Sequence, residues 1–325
     1  MDGEAAPGAR IARSVSSPLR DLNSLVPDRR RAAGEPVLER RQPGDLRVLS
    51  WNVFHGRDWP PDDRLRKSRR LRSRLFRRTV HGDTHVQVNR SLYEEFATVL
   101  ATSRWDVCLL QECPPRWADR LADECQASAF AALTSRNSLA PLRGLIAERN
   151  PDLMGSWEGG SNLTLVRLPW RIIEAHSVLL NPLRERRLRE RRRLALTRLV
   201  NGDKEVCVGN LHLTAGARGQ TRREASRAAE ITFEWANGAP VVLGGDFNVR
   251  PVASDLYDDL CEGAKLCGIT SRDGIDHILA AGLETIDQPA RWEPERRELD
   301  VLAGLEHRRL RLSDHAPVEA RFNVR

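Results

Sequence analysis

Val241-Val242-Leu243-Gly244-Gly245-Asp246-Phe247-Asn248 is the stretch around which the chain is organised. Its leading apolar residues, rich in β-branched valine, read as a strand buried in a covered sheet. The paired glycines predict a sharp turn at its end. Because side chains alternate along extended backbone, Asp246 and Asn248 fall on one side and Phe247 points to the core. A carboxylate and a carboxamide are thereby mounted on a rigid element at a sheet edge. Taken alone, the octapeptide equally fits a strand closed by an Asx-turn, so the rest of the chain has to decide.

Similar strand ends recur on either side of it. Residues 46–52 alternate as a first strand ending at Asn52, and Asp106–Leu110 runs into Gln111-Glu112. Glu205–Leu213 carries Asn210 and His212 on one face, Asp273-Gly274 turns into a strand containing Asp276, and Ser313-Asp314-His315 precedes a last alternating strand. A carboxylate directly after a buried strand is costly to keep there without a partner, and a cation is one such partner. Oxygen ligands without a cysteine cluster suit a hard ion such as Mg²⁺ or Mn²⁺ rather than zinc. Two histidines with carboxylates to spare suit acid–base work and stabilisation of an anionic transition state. Singly, each of these residues reads as a turn former. Collected at the ends of apolar strands, Asn52, Glu112, His212, Asp246, Asn248, Asp276, Asp314 and His315 do not.

Between these ends the pattern predicts a helix over about 89–102 with Ser91 and Glu94 as a capping box, and a helix from Pro115 to Phe130. Strands are expected at Asn162–Arg167, Trp170–Leu179 and Leu194–Val200, with hairpin connections at Leu168-Pro169 and Asn201-Gly202-Asp203. A helix over Thr221–Ala236 stops at Asn237-Gly238, and a short one carries Leu256 and Leu260. Strands outnumber helices and connections are short, which predicts mixed or antiparallel sheets with helices outside: a layered α/β sandwich, not a doubly wound parallel fold.

With 325 residues, 40% of them hydrophobic, the chain can bury a large core. No apolar run approaches the length that spans a bilayer, and the N-terminus lacks a signal-peptide core, so a cytoplasmic protein without transmembrane segments is expected. Cys108, Cys113, Cys125, Cys207, Cys261 and Cys267 show no metal-ligand spacing and are read as free thiols in a reducing compartment. Residues 1–44, rich in Pro, Gly, Ser and Arg, read as a disordered tail; residues 45–325 are expected to form the folded domain, with a basic insertion at about 57–90. Of the net charge of +7, the segment 57–78 alone contributes +7 (ten basic residues, three acidic) and the segment 184–193 a further +5 (seven arginines, two glutamates). The remainder is net acidic. Such concentrated charge suits a polyanion, either nucleic acid or an anionic membrane face.

In order and spacing, Trp51-Asn52, Gln111-Glu112, Asn210-Leu211-His212, Gly245-Asp246-Phe247-Asn248, Ile275-Asp276-His277-Ile278 and Ser313-Asp314-His315 resemble the endonuclease/exonuclease/phosphatase superfamily. The resemblance covers about residues 46–323. It implies a deoxyribonuclease-I-like α/β (α+β) four-layer sandwich, two packed sheets flanked by helices with the site at one end. Carried onto this chain, it implies Glu112 as principal Mg²⁺ ligand, assisted by Asn52 and Asp314. It further implies that Asp246 activates the attacking water and that Asn248 holds that water or a phosphate oxygen. His315, oriented by Asp276, and His212 would stabilise charge on phosphorus, with Asn210 counted among the catalytic set. Some members pair the first histidine with a carboxylate, and Glu158 is the nearest candidate. Where abasic-site nucleases carry a lysine after the metal glutamate, this chain has Cys113-Pro114-Pro115-Arg116, and the longer basic signatures of inositol phosphatases are missing. The basic insertion fits none of these patterns. It favours a monomeric nuclease acting on DNA or RNA through Arg66, Arg69, Arg70 and Arg74, over hydrolysis of a lipid headgroup or small phosphoester.

Overall fold

A computed structural model of the chain describes residues 44–67, 79–134, 140–181, 191–303 and 306–325. The tail up to residue 43 and three of the four insertion arginines, Arg69, Arg70 and Arg74, lie outside the described residues. Two sheets dominate. The first runs Glu284–Arg291, Val318–Asn323, Asp45–Asn52, Val107–Cys113, Ser161–Arg167, Ala127–Leu133 across its six strands; the second, of five, runs Asp276–Ala281, Val241–Asp246, Lys204–His212, Arg193–Asn201, Arg171–Leu179. Each contains one parallel pair, Asp45–Asn52 with Val107–Cys113 and Val241–Asp246 with Lys204–His212, and is otherwise antiparallel. This is the mixed α/β sandwich expected.

Alternation along the central strands explains the layers. One set of faces meets in a shared apolar cluster, with Val48, Leu109 and Phe322 from the first sheet against Val208, Val242 and Ile278 from the second. On the outer face of the first sheet Leu49, Trp51 and Leu110 pack against Phe96 and Leu100 of the helix Tyr93–Thr102. On the outer face of the second, Leu196, Leu211 and Leu243 pack against Ala225, Ala228 and Ala229 of the helix Arg218–Ala236. Each such side chain taken fully out of water contributes about 1.5–3 kcal/mol before entropy is counted, so burial on both faces fixes the strands firmly.

The glycines of the organising stretch do a different job from the one expected. The strand runs straight through both to Asp246. A Cβ on Gly244 would lie 2.7 Å from Cδ1 of Leu109 in the opposite sheet. Gly245, at φ +142°, would bring one within 2.0 Å of the Leu211 carbonyl oxygen. They permit close approach rather than a turn.

Other expectations are corrected. The helix after Pro115 ends at Glu124, and the Ala-rich run Ala127–Leu133 is an edge strand; a short apolar run of that kind has no period that separates helix from strand. Leu168-Pro169 is not a hairpin, because the strands it joins belong to different sheets. The Asn201–Lys204 hairpin forms as expected. Ser91 does not cap the helix that begins at Tyr93. The strands Glu284–Arg291, Glu298–Ala303 and Glu306–Arg311 escaped the reading: the first is an edge strand with only Pro289 buried, the second is short, and four of the six residues in the last are charged. Cys261 and Cys267 are joined in a disulfide, contrary to the reading of all six as free thiols, while Cys108, Cys113, Cys125 and Cys207 are buried and unbridged. Among the described residues no helix is long and apolar enough to cross a membrane.

Candidate active site

The parallel pairs deliver their carboxyl ends to one edge, and the antiparallel neighbours begin there. In the second sheet a single row across three strands holds His212, Asp246 and Asp276, since Asp246 pairs with both of the others. In the first, Asn52 pairs with Gln111, and the chain returning to the Val318–Asn323 strand lays Ser313–His315 over Asn52. That return is pinned by Ser313 Oγ donating to the Asn52 carbonyl (2.6 Å) and Trp51 Nε1 donating to the His315 carbonyl (3.0 Å). Asn52 links the sheets: its Nδ2 donates to Asp246 Oδ2 (3.1 Å) and approaches Glu112 Oε1 (3.4 Å). Asn248 donates its backbone N–H to Asp246 Oδ1 (2.9 Å) and its Nδ2 to the Leu213 carbonyl (2.9 Å).

The two imidazoles are held in opposite ways. Nδ1 of His315 lies 2.8 Å from Asp276 Oδ2, and its Nε2 faces Asp246 and Asp314, each at 3.9 Å. Burial alone would lower the His315 pKa, but the Asp276 charge and hydrogen bond, then Asp246 and Asp314, raise it to about 10, so the ring is an imidazolium. His212 is driven well below the ordinary histidine range by burial and then by Arg192, whose Nη1 sits 3.2 Å from His212 Nδ1. Its Nε2 faces Asp246 Oδ2 at 3.6 Å and Glu112 Oε1 at 3.8 Å. With the ring neutral, those contacts are an N–H facing carboxylates and not ion pairs. Burial, and then the charge of Asp276, push the Asp246 carboxyl above the usual carboxylate range.

A family model of the endonuclease/exonuclease/phosphatase family matches residues 49–315, spanning every residue of this constellation. The chain belongs to that family. Its members are hydrolases acting on phosphoesters. Among solved structures, a member of the same family from Bacteroides thetaiotaomicron has a TM-score of 0.58 at 16% identity, covering 87% of this chain and 96% of its own. A mannosyl-6-phosphatase of that organism has 0.56 at 16%, covering 85% and 98%, and the human Nocturnin catalytic domain, with bound sulfate, 0.53 at 15%, covering 87% and 96%. At such identities these likenesses concern the fold. No curated protein sequence matches the chain.

Within the endonuclease/exonuclease/phosphatase fold, the residues expected as metal ligands divide. Asn52 turns its oxygen away: Oδ1 accepts from the Phe54 N–H (3.0 Å), and the amide nitrogen faces the carboxylates. In this arrangement its amide nitrogen donates between Glu112 and Asp246. Glu112 and Asp314 fit a divalent cation. Asp314 is raised chiefly by burial, and the Glu112 charge adds to the shift, so two carboxylates repel one another at a site a cation would relieve. Asp246, Asp276 and His315 also bring ligand atoms within 4.8 Å of one another, but the 2.8 Å bond between His315 and Asp276 makes those two a hydrogen-bonded pair, with Asp246 3.9 Å from the far side of the ring.

Three further expectations move. Asn210 is fully buried beneath the site, donating to the Leu110 and Leu163 carbonyls of the other sheet (3.2 and 3.1 Å) and accepting from Gln111 (2.8 Å), so it ties the sheets together. Glu158 pairs with Arg116 and not with His212. Arg66 pairs with Asp63, with its guanidinium 5.5 Å from the Trp59 ring centroid. Two residues not anticipated join the site: Arg192, on His212, and His55, whose Nε2 lies 3.1 Å from Glu112 Oε2.

Backbone strain marks the same edge. Of the eight non-glycine residues with positive φ among the described residues, Phe54, His55, Glu112, Asn248 and Ser313 lie at it, whereas Gln126, Asn237 and Lys265 terminate helices. Glu112 also falls where the pairing of its strand with Ser161–Arg167 shifts register, a bulge that re-aims a side chain. A cavity of about 720 Å³ around Arg47, Trp292 and Glu319 contains none of these residues. The candidate site is thus a sheet edge separate from that cavity.

Proposed function

We propose that this chain cleaves phosphodiester bonds of DNA or RNA with Mg²⁺ or Mn²⁺, by in-line attack of a water activated by Asp246. The observation that carries the reading is the surroundings of Asp246 Oδ2, which has Asn52 Nδ2 at 3.1 Å, His212 Nε2 at 3.6 Å and His315 Nε2 at 3.9 Å. The imidazole separations are too long for direct hydrogen bonds and leave room for a reacting group among the three. Asp246, made more basic by burial, accepts the proton of the water, and Asn248 helps to hold that water. The His315 imidazolium and the His212 Nε2–H donate to the non-bridging oxygens as negative charge grows on them. A divalent cation held by Glu112 and Asp314 would neutralise the same charge.

Nucleic acid is favoured by the cations and aromatic surface near this edge. Arg192 adjoins His212, Arg57 stacks on Phe54, and the half-exposed Trp157 lies 4.6 Å from the Arg143 guanidinium. Bases stack on aromatic faces while arginines track phosphates. Trp157 and Leu153, 47% and 41% exposed on the helix Pro151–Glu158, also favour a second reading, a phosphoester presented on a lipid surface. One assay over single-stranded and duplex DNA, RNA, phosphoinositide and sphingomyelin vesicles and a sugar phosphate, with Mg²⁺ and an Asp246→Ala control, tests both. Cleavage of nucleic acid that vanishes in Asp246→Ala is the expected result; turnover confined to vesicles selects the second reading. Activity unaffected by Asp246→Ala removes both.

A further inference from the structure

We infer that His55 is a positioning residue for Glu112, fixing the plane of the carboxylate that faces the cation; the inference rests on the metal reading above. Each oxygen of Glu112 has a nitrogen donor of its own, Asn52 Nδ2 at 3.4 Å from Oε1 and His55 Nε2 at 3.1 Å from Oε2. An imidazole nitrogen carrying its proton donates to a carboxylate, and the Nε2 of His55 is so directed. A carboxylate held at only one oxygen pivots about its terminal torsion, which is broad and soft. Held at both, it presents one orientation.

The packing around the pair is specific. His55 is 7% exposed and sits at φ 53°, ψ 29° in the turn Phe54–Gly56, a conformation uncommon for a residue with a side chain. The turn is kept tight by Gly56, at φ +74°, where a Cβ would fall 2.3 Å from the Trp117 ring. Gly155, from the helix Pro151–Glu158, lies over His55 so closely that its Cβ position is 3.4 Å from His55 Cβ. Gly160 does the same to Glu112, at 3.1 Å from its Cα, and Glu112 is itself at φ 52°. Gly155 and Gly160, from one stretch of chain, thus pack on two residues with left-handed backbone, while Gly56 keeps the turn beside them tight. An incidental surface contact between a histidine and a glutamate requires none of this.

Partners that orient a metal-binding side chain typically change metal affinity about 10–100-fold when removed. The test is calorimetric titration of Mn²⁺ into the full chain and into Glu112→Gln, His55→Phe, His55→Asn and His55→Gln, each checked by thermal melting. His55→Phe fills the space without donating, and His55→Asn tolerates the left-handed backbone but is too short to reach. Both are expected to bind Mn²⁺ about 10–100-fold more weakly. His55→Gln, whose amide N–H can reach Oε2, is expected to recover most of the affinity. If Glu112→Gln loses Mn²⁺ while a folded His55→Phe or His55→Asn keeps wild-type affinity, the inference is overturned and the metal reading stands. If the wild type and Glu112→Gln bind Mn²⁺ alike, the metal reading falls and the inference with it.

Discussion

Nη1 of Arg192 stands 3.2 Å from Nδ1 of His212, so a cation occupies the place where a carboxylate was expected. A guanidinium can only donate. Nδ1 must therefore accept, which leaves the ring proton on Nε2, directed at the space between Glu112 and Asp246. The second histidine is arranged in the reverse sense, with Asp276 on Nδ1 of His315. One imidazole is kept neutral and the other charged, so the site offers a fixed neutral donor beside an imidazolium.

Removing the donor on His212 should cost turnover without unfolding the protein. Replacing Arg192 with Met keeps its length and removes the hydrogen bond; a fall in kcat of about tenfold, ~1.4 kcal/mol, is expected. Nitrogen NMR of the His212 ring should show the loss of a single tautomer. Wild-type turnover together with an unchanged tautomer would mean that the contact is incidental.

The His315–Asp276 pair predicts a pH dependence of definite sign. The folded-state pKa of about 10 exceeds the ordinary histidine value of 6.5, so the stabilisation from the pair is complete below 6.5 and is lost as the pH rises through about 10. Asp276→Asn removes the largest upward contribution. Its kcat–pH profile should lose its alkaline limb toward neutral pH, and its stability should vary less than wild type between these two values. Superimposable profiles for a folded Asp276→Asn protein would exclude the pairing.

Glu112→Gln keeps the shape of the side chain and removes its charge. If Glu112 holds the cation, kcat/KM should drop by about two orders of magnitude or more, ~3 kcal/mol, and a chelator should inactivate the wild type. Full activity in Glu112→Gln would remove Glu112 from the metal site.

Gly244 and Gly245 should differ in what alanine costs. At Gly244 the new methyl meets the flexible end of Leu109, and about 1–3 kcal/mol of destabilisation is expected. At Gly245 it meets the backbone of Leu211 at a φ that side chains rarely adopt, and the loss should be larger. Denaturant midpoints of the two variants give the order directly; equal midpoints would contradict the close approach.

Much of the architecture was legible because it is local. Apolar runs and alternation predicted the central strands, the spacing of alanines on one face predicted a helix over Thr221–Ala236, which begins at Arg218, and polar residues at strand ends marked an edge. Where an edge strand is exposed on both faces, as in Glu284–Arg291, or where a short apolar run had no period, as in Ala127–Leu133, local pattern failed.

What alternation cannot supply is depth and partner. Asn210 and His212 share a face by sequence, yet one lies between the sheets and the other at their edge, because two residues of strand rise separate them. Asn52 reads as a ligand by motif but turns its nitrogen to the site, since the oxygen is taken by a backbone N–H two residues on. Arg192 and His55 carry no motif at all. They reach His212 and Glu112 only through strand pairing and through glycines that let separate segments close on one another. The sequence by itself determined the strands, their apolar faces and the kinds of chemical group at their ends. Which of those groups meet, and through which atom, was decided by the tertiary structure, because hydrogen-bond direction and burial depend on neighbours far away in the chain.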